Sequence, residues 1–264
     1  MSQELVMAGL TDPGRMREEN EDCIAVHPTL GVAVLADGMG GHQAGEVASR
    51  MAVDVVSRHF QASFANAPKQ PTASKGGISF EAKTLSEAIE IANTAIHAMA
   101  RERPECAGMG STVVVAVFHE DRVCVGHVGD SRLYRFRAGK LEQITHDHSV
   151  VEELVARGLM SRDDARQAVG KNLVTRALGV DPFVTPDITE VNQSGSDLYL
   201  LCSDGLNDVV SDEEIMEALA NAGDDLQKTA KRLVEIANLR GGPDNISVIV
   251  VRSTGPFVRT ARPS

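Results

Sequence analysis

Apolar residues in this chain form short, nearly continuous runs and longer, regularly spaced stripes. The runs lie at residues 32–36, 113–118, 123–128, 198–202 and 246–251. Each has the length and the Val, Ile and Leu content of a buried strand. Weaker runs at 6–11 and 23–27 read as two further strands. The stripes predict helices. Val47, Met51 and Val55 recur four apart within a helix at 43–59, and Thr84-Leu85-Ser86-Glu87 has the form of a capping box. The helix opened there carries Leu85, Ala88, Ile89, Ala92, Ile96 and Met99 on one face, which reads as core. Ser149 with Glu152, and Ser161 with Asp164, mark two more helix starts. Helices are also expected at 211–220 and at 225–238, the latter with Leu226, Ala230, Leu233 and Ala237 on its inner face.

Between these elements, 113–118 and 122–128 form a hairpin closed at His119-Glu120-Asp121, and 131–136 pairs with 140–144 around Ala138-Gly139. Residues 61–79 mix Ala, Ser, Pro, Gln and Gly and read as a mobile insert, and the stretch 145–181 as a small helical excursion. The order is two runs of strands, each interleaved with paired helices, rather than a steady βαβα alternation. It predicts antiparallel sheets packed face to face with helices outside. One domain is expected over 1–252, followed by a flexible tail at 253–264.

Composition refines this picture at a few points. At 42% hydrophobic residues the chain can build a large core, yet it has no Trp and only two Tyr, so aliphatic side chains must fill the sheets. The net charge of −11 argues against a nucleic-acid partner, which needs a basic face. Cys23, Cys106, Cys124 and Cys202 show no CxxC spacing, hence no zinc pattern and no disulfide framework. No signal-peptide pattern opens the chain, and no apolar stretch reaches the roughly 18–20 residues of a membrane span. A cytoplasmic protein without a membrane partner is expected. The absence of a coiled-coil repeat favours a monomer.

The chemistry concentrates where strands end. Three apolar runs lead into aspartate beside glycine, at Asp37-Gly38, Gly129-Asp130 and Asp204-Gly205, and Asp244 stands just before a fourth. Carboxylates at the mouths of buried strands are costly unless a cation compensates them. Four such sites far apart in sequence point to shared hard divalent ions, which take oxygen ligands. Alone, each acid would also suit a turn or a helix cap, and Asp208 a helix start.

The motifs occur in a recognisable order: Arg17-x-x-x-Glu21-Asp22, Asp37-Gly38-Met39-Gly40-Gly41-His42, Gly129-Asp130-Ser131-Arg132, Ser203-Asp204-Gly205-Leu206-x-Asp208 and Gly242-x-Asp244-Asn245. The chain resembles the metal-dependent serine/threonine protein phosphatases of type 2C, above all the compact bacterial members, over roughly residues 5–252. That resemblance implies an α+β fold, a four-layer α-β-β-α sandwich, and a cleft with two Mn²⁺ or Mg²⁺ ions. It implies that Asp37 bridges both ions with the Gly38 carbonyl as a further ligand, and that Asp204 and Asp244 hold the first ion. Glu21 would serve the second ion largely through water, and Asp22 a ligand water of the first. Arg17 would clamp phosphate. A third, weaker ion would use Asp130 and Asp204, with Asp208 nearby. A water between two such ions is acidic enough to attack phosphorus near neutral pH. The guanidinium fork suits phosphate in a way Lys does not reproduce.

His42 is the candidate general acid for the leaving alkoxide, with a capping role on the next helix as the alternative. His146-Asp147-His148 reads as the lead-in to the Ser149 cap rather than a metal site. Residues 145–181 correspond to the family's flap, within which Arg176 serves either structure or substrate. The implied activity is hydrolysis of phosphoserine and phosphothreonine in proteins, opposing a cognate Ser/Thr kinase and acting on its targets. Two other readings stay open: a phosphatase-like docking module, and a hydrolase of small phosphomonoesters, the latter lowered by the lack of a P-loop.

Overall fold

The computed structural model describes residues 5–41, 44–66, 78–161, 164 and 173–259. In chain order the strands are β1 (Leu5–Asp12), β2 (Asp22–His27), β3 (Val32–Met39), β4 (Gly110–Ser111), β5 (Val113–His119) and β6 (Arg122–Val128). They continue with β7 (Arg132–Arg137), β8 (Lys140–Gln143), β9 (Asp187–Asn192), β10 (Leu198–Cys202) and β11 (Ile246–Ser253). The described helices are α1 (Ala44–Ala65), α2 (Phe80–Glu102), α3 (Val150–Ala156), α4 (Asp204–Asn207), α5 (Asp212–Ala220) and α6 (Leu226–Leu239).

Two antiparallel sheets result, ordered β1-β11-β10-β7-β8 and β2-β3-β5-β6-β9, with β4 paired to the end of β3. Alternation explains the continuous apolar runs. Along β3, Ala33 and Leu35 face the other sheet beside Val114, Tyr199 and Ile249. Val32, Val34 and Ala36 face the helices, against Ala48, Phe60, Leu85 and Ile89. The second helical pair, α5 and α6, packs Ile215, Leu219, Leu226 and Leu233 on Leu200, Val248 and Val250. A strand covered on both faces has no position left for a polar residue, so period two disappears from the sequence. The architecture is therefore the α-β-β-α sandwich that strand order predicted.

Several boundaries differ from expectation. Helix α1 continues to Ala65 and α2 begins at Phe80, so the start of the 61–79 segment is helical, its end caps α2, and its middle lies outside the described residues. The cap of α2 is Ser79, whose hydroxyl accepts Ala82 N–H at 3.0 Å, whereas Thr84 is buried inside the helix. The last described residues are anchored rather than frayed. Phe257 exchanges backbone hydrogen bonds with Glu120, its ring lies against Gly31, and Arg259 stacks on Phe64 at 3.7 Å. Strand β9 had no apolar run to announce it. His42 and Gln43, like most of the segment after Ser161, lie outside the described residues. No helix among the described residues is long and apolar enough to cross a membrane.

Candidate active site

The sheet registers bring the acids together at one end of the sandwich. Asp22 on β2 stands directly opposite Asp37 on β3. Thr112 closes the β3–β5 side: its N–H donates to Asp37 O at 2.8 Å, and its hydroxyl accepts Asp37 N–H at 3.2 Å. From the other sheet, Ser203 caps α4, donates to Asp22 Oδ2 at 2.8 Å and accepts Ser247 N–H at 3.0 Å. Asp204 is the first residue of α4, and Asp208 lies at that helix's C-terminal end, not at a helix start. Asn245, just before β11, fastens the loop that carries Arg17 and Glu21. Its side chain donates to Pro13 O and Glu19 O at 3.0 and 2.9 Å and accepts Glu21 N–H at 2.8 Å.

Backbone packing leaves no room for a side chain at two of the motif glycines. A Cβ on Gly38 would lie 2.0 Å from Gly45 O, and one on Gly205 2.0 Å from Asn245 O. Asp37-Gly38 and Asp204-Gly205 are thus forced positions that hold the two loops in contact with the pocket.

The electrostatics of the pocket are those of charge crowded without compensation. Burial raises the Asp37 carboxyl well above its ordinary range, and Asp22, Asp204, Asp130 and Asp244 add to the rise. Asp204 is raised in the same way, by burial and then by Asp130, Asp208, Asp244 and Asp22. Burial lifts Asp22 to about 6 against hydrogen bonds from Ser247 and Ser203, and lifts Asp130 to about 6 with Asp147 contributing next. Glu21 is also raised by burial, with Arg17 opposing. Glu21 Oε1 and Asp22 Oδ1 are buried without a hydrogen-bond partner among the described residues. Orphaned carboxylate oxygens inside a cluster of six Asp and one Glu fit hard divalent cations, whose charge relieves the repulsion and whose coordination takes oxygen donors.

At the rim Arg17 donates from Nη2 to Asp244 Oδ2 at 3.0 Å, and its side chain is 53% exposed. The bond to Asp244 raises its pKa further, so it is cationic at every working pH.

The sequence-predicted Arg17, Glu21, Asp22, Asp37, Gly38, Asp130, Asp204, Asp208 and Asp244 thus converge, while His42 lies outside the described residues. Three supporting residues had not been singled out: Ser203, Asn245 and Thr112. The first two stood within the quoted motifs without a role assigned to them. Thr112 gave no signal. Nearby, Asp147 takes a three-point ion pair from Arg132, with Nη2 to Oδ2 at 2.6 Å, and Arg132 Nη1 reaches Tyr134 Oη at 2.7 Å. Arg176 donates to Asp187 Oδ1 at 2.8 Å, a contact within the protein.

Two facing antiparallel sheets, with an acidic pocket whose oxygen donors suit divalent cations and an arginine at its mouth, define an α-β-β-α sandwich with a candidate metal centre. The Protein phosphatase 2C family model matches residues 16–237. The serine/threonine protein phosphatase PstP of Mycobacterium tuberculosis is 39% identical over 243 residues, which cover 92% of this chain and 44% of PstP. This chain therefore spans less than half the length of that relative. The serine/threonine phosphatase stp of Listeria monocytogenes is 39% identical over 244 residues, covering 91% of this chain and 93% of its own. Among solved structures, the PstP catalytic domain in complex with two manganese ions superposes with a TM-score of 0.81 at 37% identity, covering 95% of this chain and 99% of that one. Stp1 from Staphylococcus aureus gives 0.84 at 33% identity, covering 95% and 96%. The chain belongs to the protein phosphatase 2C family.

Proposed function

We propose that this protein is a serine/threonine protein phosphatase that hydrolyses phosphoserine and phosphothreonine and reverses the action of a bacterial Ser/Thr kinase. The observation that carries this reading is the convergence of seven acidic side chains, two with orphaned buried oxygens, beneath an exposed arginine. Two Mn²⁺ or Mg²⁺ ions would be held by Asp37, the Gly38 carbonyl, Asp204 and Asp244, with Glu21 and Asp22 acting mainly through water. A third, weaker ion would be held by Asp130 and Asp204 beside Asp208. When bound, the ions supply positive charge and a water acidic enough to act as a nucleophile near neutral pH.

The chain's own residues do the rest. A guanidinium has five N–H donors, so Arg17 can keep Asp244 and still offer a fork to two phosphate oxygens. Ser203 and Thr112 fix the carboxylates of Asp22 and the backbone of Asp37, which keeps the oxygens aimed at one point. His42 gives a proton to the departing alkoxide. No step forms a covalent phosphoenzyme. Residues 1–252 form one catalytic domain that acts in the cytoplasm as a monomer, with residues 145–181 as a flap that bears on substrate choice.

The deciding experiment measures phosphate release from a phosphothreonine peptide with Mn²⁺, with Mg²⁺ and with chelator, for wild type and Asp204→Asn. Metal-dependent turnover is expected, and the substitution should remove more than the roughly 10–100-fold lost with an outer partner of a metal ligand. A folded, metal-loaded wild type without turnover would overturn the reading in favour of a docking module.

A further inference from the structure

His127, His148 and Asp187 place two imidazoles and a carboxylate within 4.8 Å of one another, apart from the pocket just described. Hydrogen-bond direction argues against a cation there. Gly129 N–H donates to His148 Nδ1 at 3.1 Å, so Nδ1 carries the lone pair and the neutral ring keeps its proton on Nε2. A metal on Nε2 would force that proton onto Nδ1, against the Gly129 N–H. Nε2 instead lies 3.4 Å from Asp187 Oδ2, beside that carboxylate's charge but without a hydrogen bond, and Arg176 holds the other oxygen at 2.8 Å. His127 stacks on His148 with centroids 4.5 Å apart and is itself fixed by its Nε2 contact with His146 O at 2.8 Å. Burial, then the neighbouring His127 and Arg176, push His148 down to about 4, in keeping with a neutral ring.

His148 grips one peptide from both sides. Its ring accepts Gly129 N–H, and its own backbone N–H donates to Gly129 O at 2.9 Å. Gly129 has φ +107°, and a Cβ there would lie 2.6 Å from the Thr112 side chain. The turn is therefore pressed onto the residue that accepts Asp37 N–H and that bonds Ser131 Oγ at 2.7 Å. The next residue along is Asp130. Thr175 N–H donates to His148 O at 2.8 Å, so the chain around Arg176 is tied to the same histidine.

We infer that His148 is a positioning residue for the cation pocket: it clamps the Gly129 peptide and so sets the Asp130 carboxylate, with its ring oriented by Asp187 and Arg176. The inference rests on the metal reading of the pocket given above, and it adds a link from residues 173–187 to the Asp130 end of that pocket.

The test titrates Mn²⁺ calorimetrically into the chelator-stripped full chain, for wild type, His148→Gln, His148→Asn and Asp187→Ala, with circular dichroism and melting curves alongside. An asparagine amide falls near the position of Nδ1 and a glutamine amide near that of Nε2. His148→Gln should weaken Mn²⁺ binding about tenfold or more, the loss usual for a group that orients a metal ligand. His148→Asn, which restores the acceptor for Gly129, should bind within about threefold of wild type. Asp187→Ala, which frees the ring, should fall between them. A packing role alone would make the two amides equally damaging and would move melting rather than the isotherm. The inference is overturned if His148→Asn is as impaired as His148→Gln, or if folded His148→Gln keeps the wild-type isotherm. Should His148→Gln fail to fold, a wild-type isotherm for Asp187→Ala overturns it. A wild type that binds Mn²⁺ without turning over phosphopeptide sinks the catalytic reading and leaves this inference standing. One that takes up no Mn²⁺ overturns both.

Discussion

Gly38 and Arg17 place opposite demands on the chain at the residue scale. Gly38 needs the absence of a side chain, because Gly45 O and Glu21 O occupy the space where a Cβ would go. Gly38→Ala should cost roughly 3–5 kcal/mol, the range of severe steric mutants, read as a drop in the urea midpoint. Arg17 needs its planar fork. Arg17→Lys keeps the charge yet should lower kcat/KM for a phosphothreonine peptide about tenfold, with the melting temperature almost unchanged. The proton donor has its own signature, since an alkoxide needs protonation and a good aryl leaving group does not. His42→Gln should slow a phosphothreonine peptide about 10²-fold or more while leaving an aryl phosphate nearly untouched. Equal loss on both substrates would return His42 to the capping role.

At the scale of elements, the loop from Pro13 to Glu21 shows how a site is assembled from afar. The Asn245 side chain alone ties three points of that loop to the start of β11. Asn245→Ala leaves three partly buried backbone groups without their partner and should cost about 1–2 kcal/mol, and it should weaken Mn²⁺ binding because Glu21 loses its anchor. Helix α2 offers a cleaner comparison. Ser79→Ala should cost about 1 kcal/mol or slightly more, since Ser79 caps the helix and also donates to Glu190. Thr84 matched the capping pattern in the sequence, but its neighbours upstream are helical, and a local pattern does not reveal whether a stronger cap precedes it. Strand β9 escaped detection for a related reason. It lies at the edge of its sheet, paired among the described strands only with β6, and four of its six residues are polar. The strands of the sheet interiors were legible because both faces are covered. The acids were legible because each sits where such a strand ends.

Across the whole molecule, the dominant fact is a cluster of negative charge gathered at one end of the two sheets. The folded, metal-free state holds Asp22 and Asp130 at about 6, above the ordinary range for Asp. A carboxyl raised on folding contributes stability below its unfolded pKa and loses it as pH rises through the folded value. Those two groups therefore make the chelator-stripped protein less stable at pH 7.5 than at pH 5, and protons compete with metal below about pH 6. The rise in melting temperature on adding Mn²⁺ should be large at pH 7.5 and small at pH 5.5. A rise independent of pH would separate metal binding from these carboxylates. At the opposite end of β3, Phe257 covers Gly31 and joins Phe118 in the core between the sheets. Removing residues 255–264 should lower stability by about 1–3 kcal/mol through loss of that buried ring, while leaving Mn²⁺ affinity unchanged.

The sequence by itself determined the elements whose pattern is dense, the sandwich that their order requires, and the positions of the acids. These depend on local chemistry: which side chains avoid water, which residues end a strand, and which loops need glycine. Tertiary structure decided what those residues face. It set Asp22 opposite Asp37, delivered Ser203 from the other sheet to hold Asp22 and Asn245 to hold the loop before it, and gave Arg176 to Asp187. It also turned His148 from a neighbour of a helix cap into a clamp on Gly129. Such relations arise from sheet register and packing between segments far apart in the chain, and no window of sequence contains both partners.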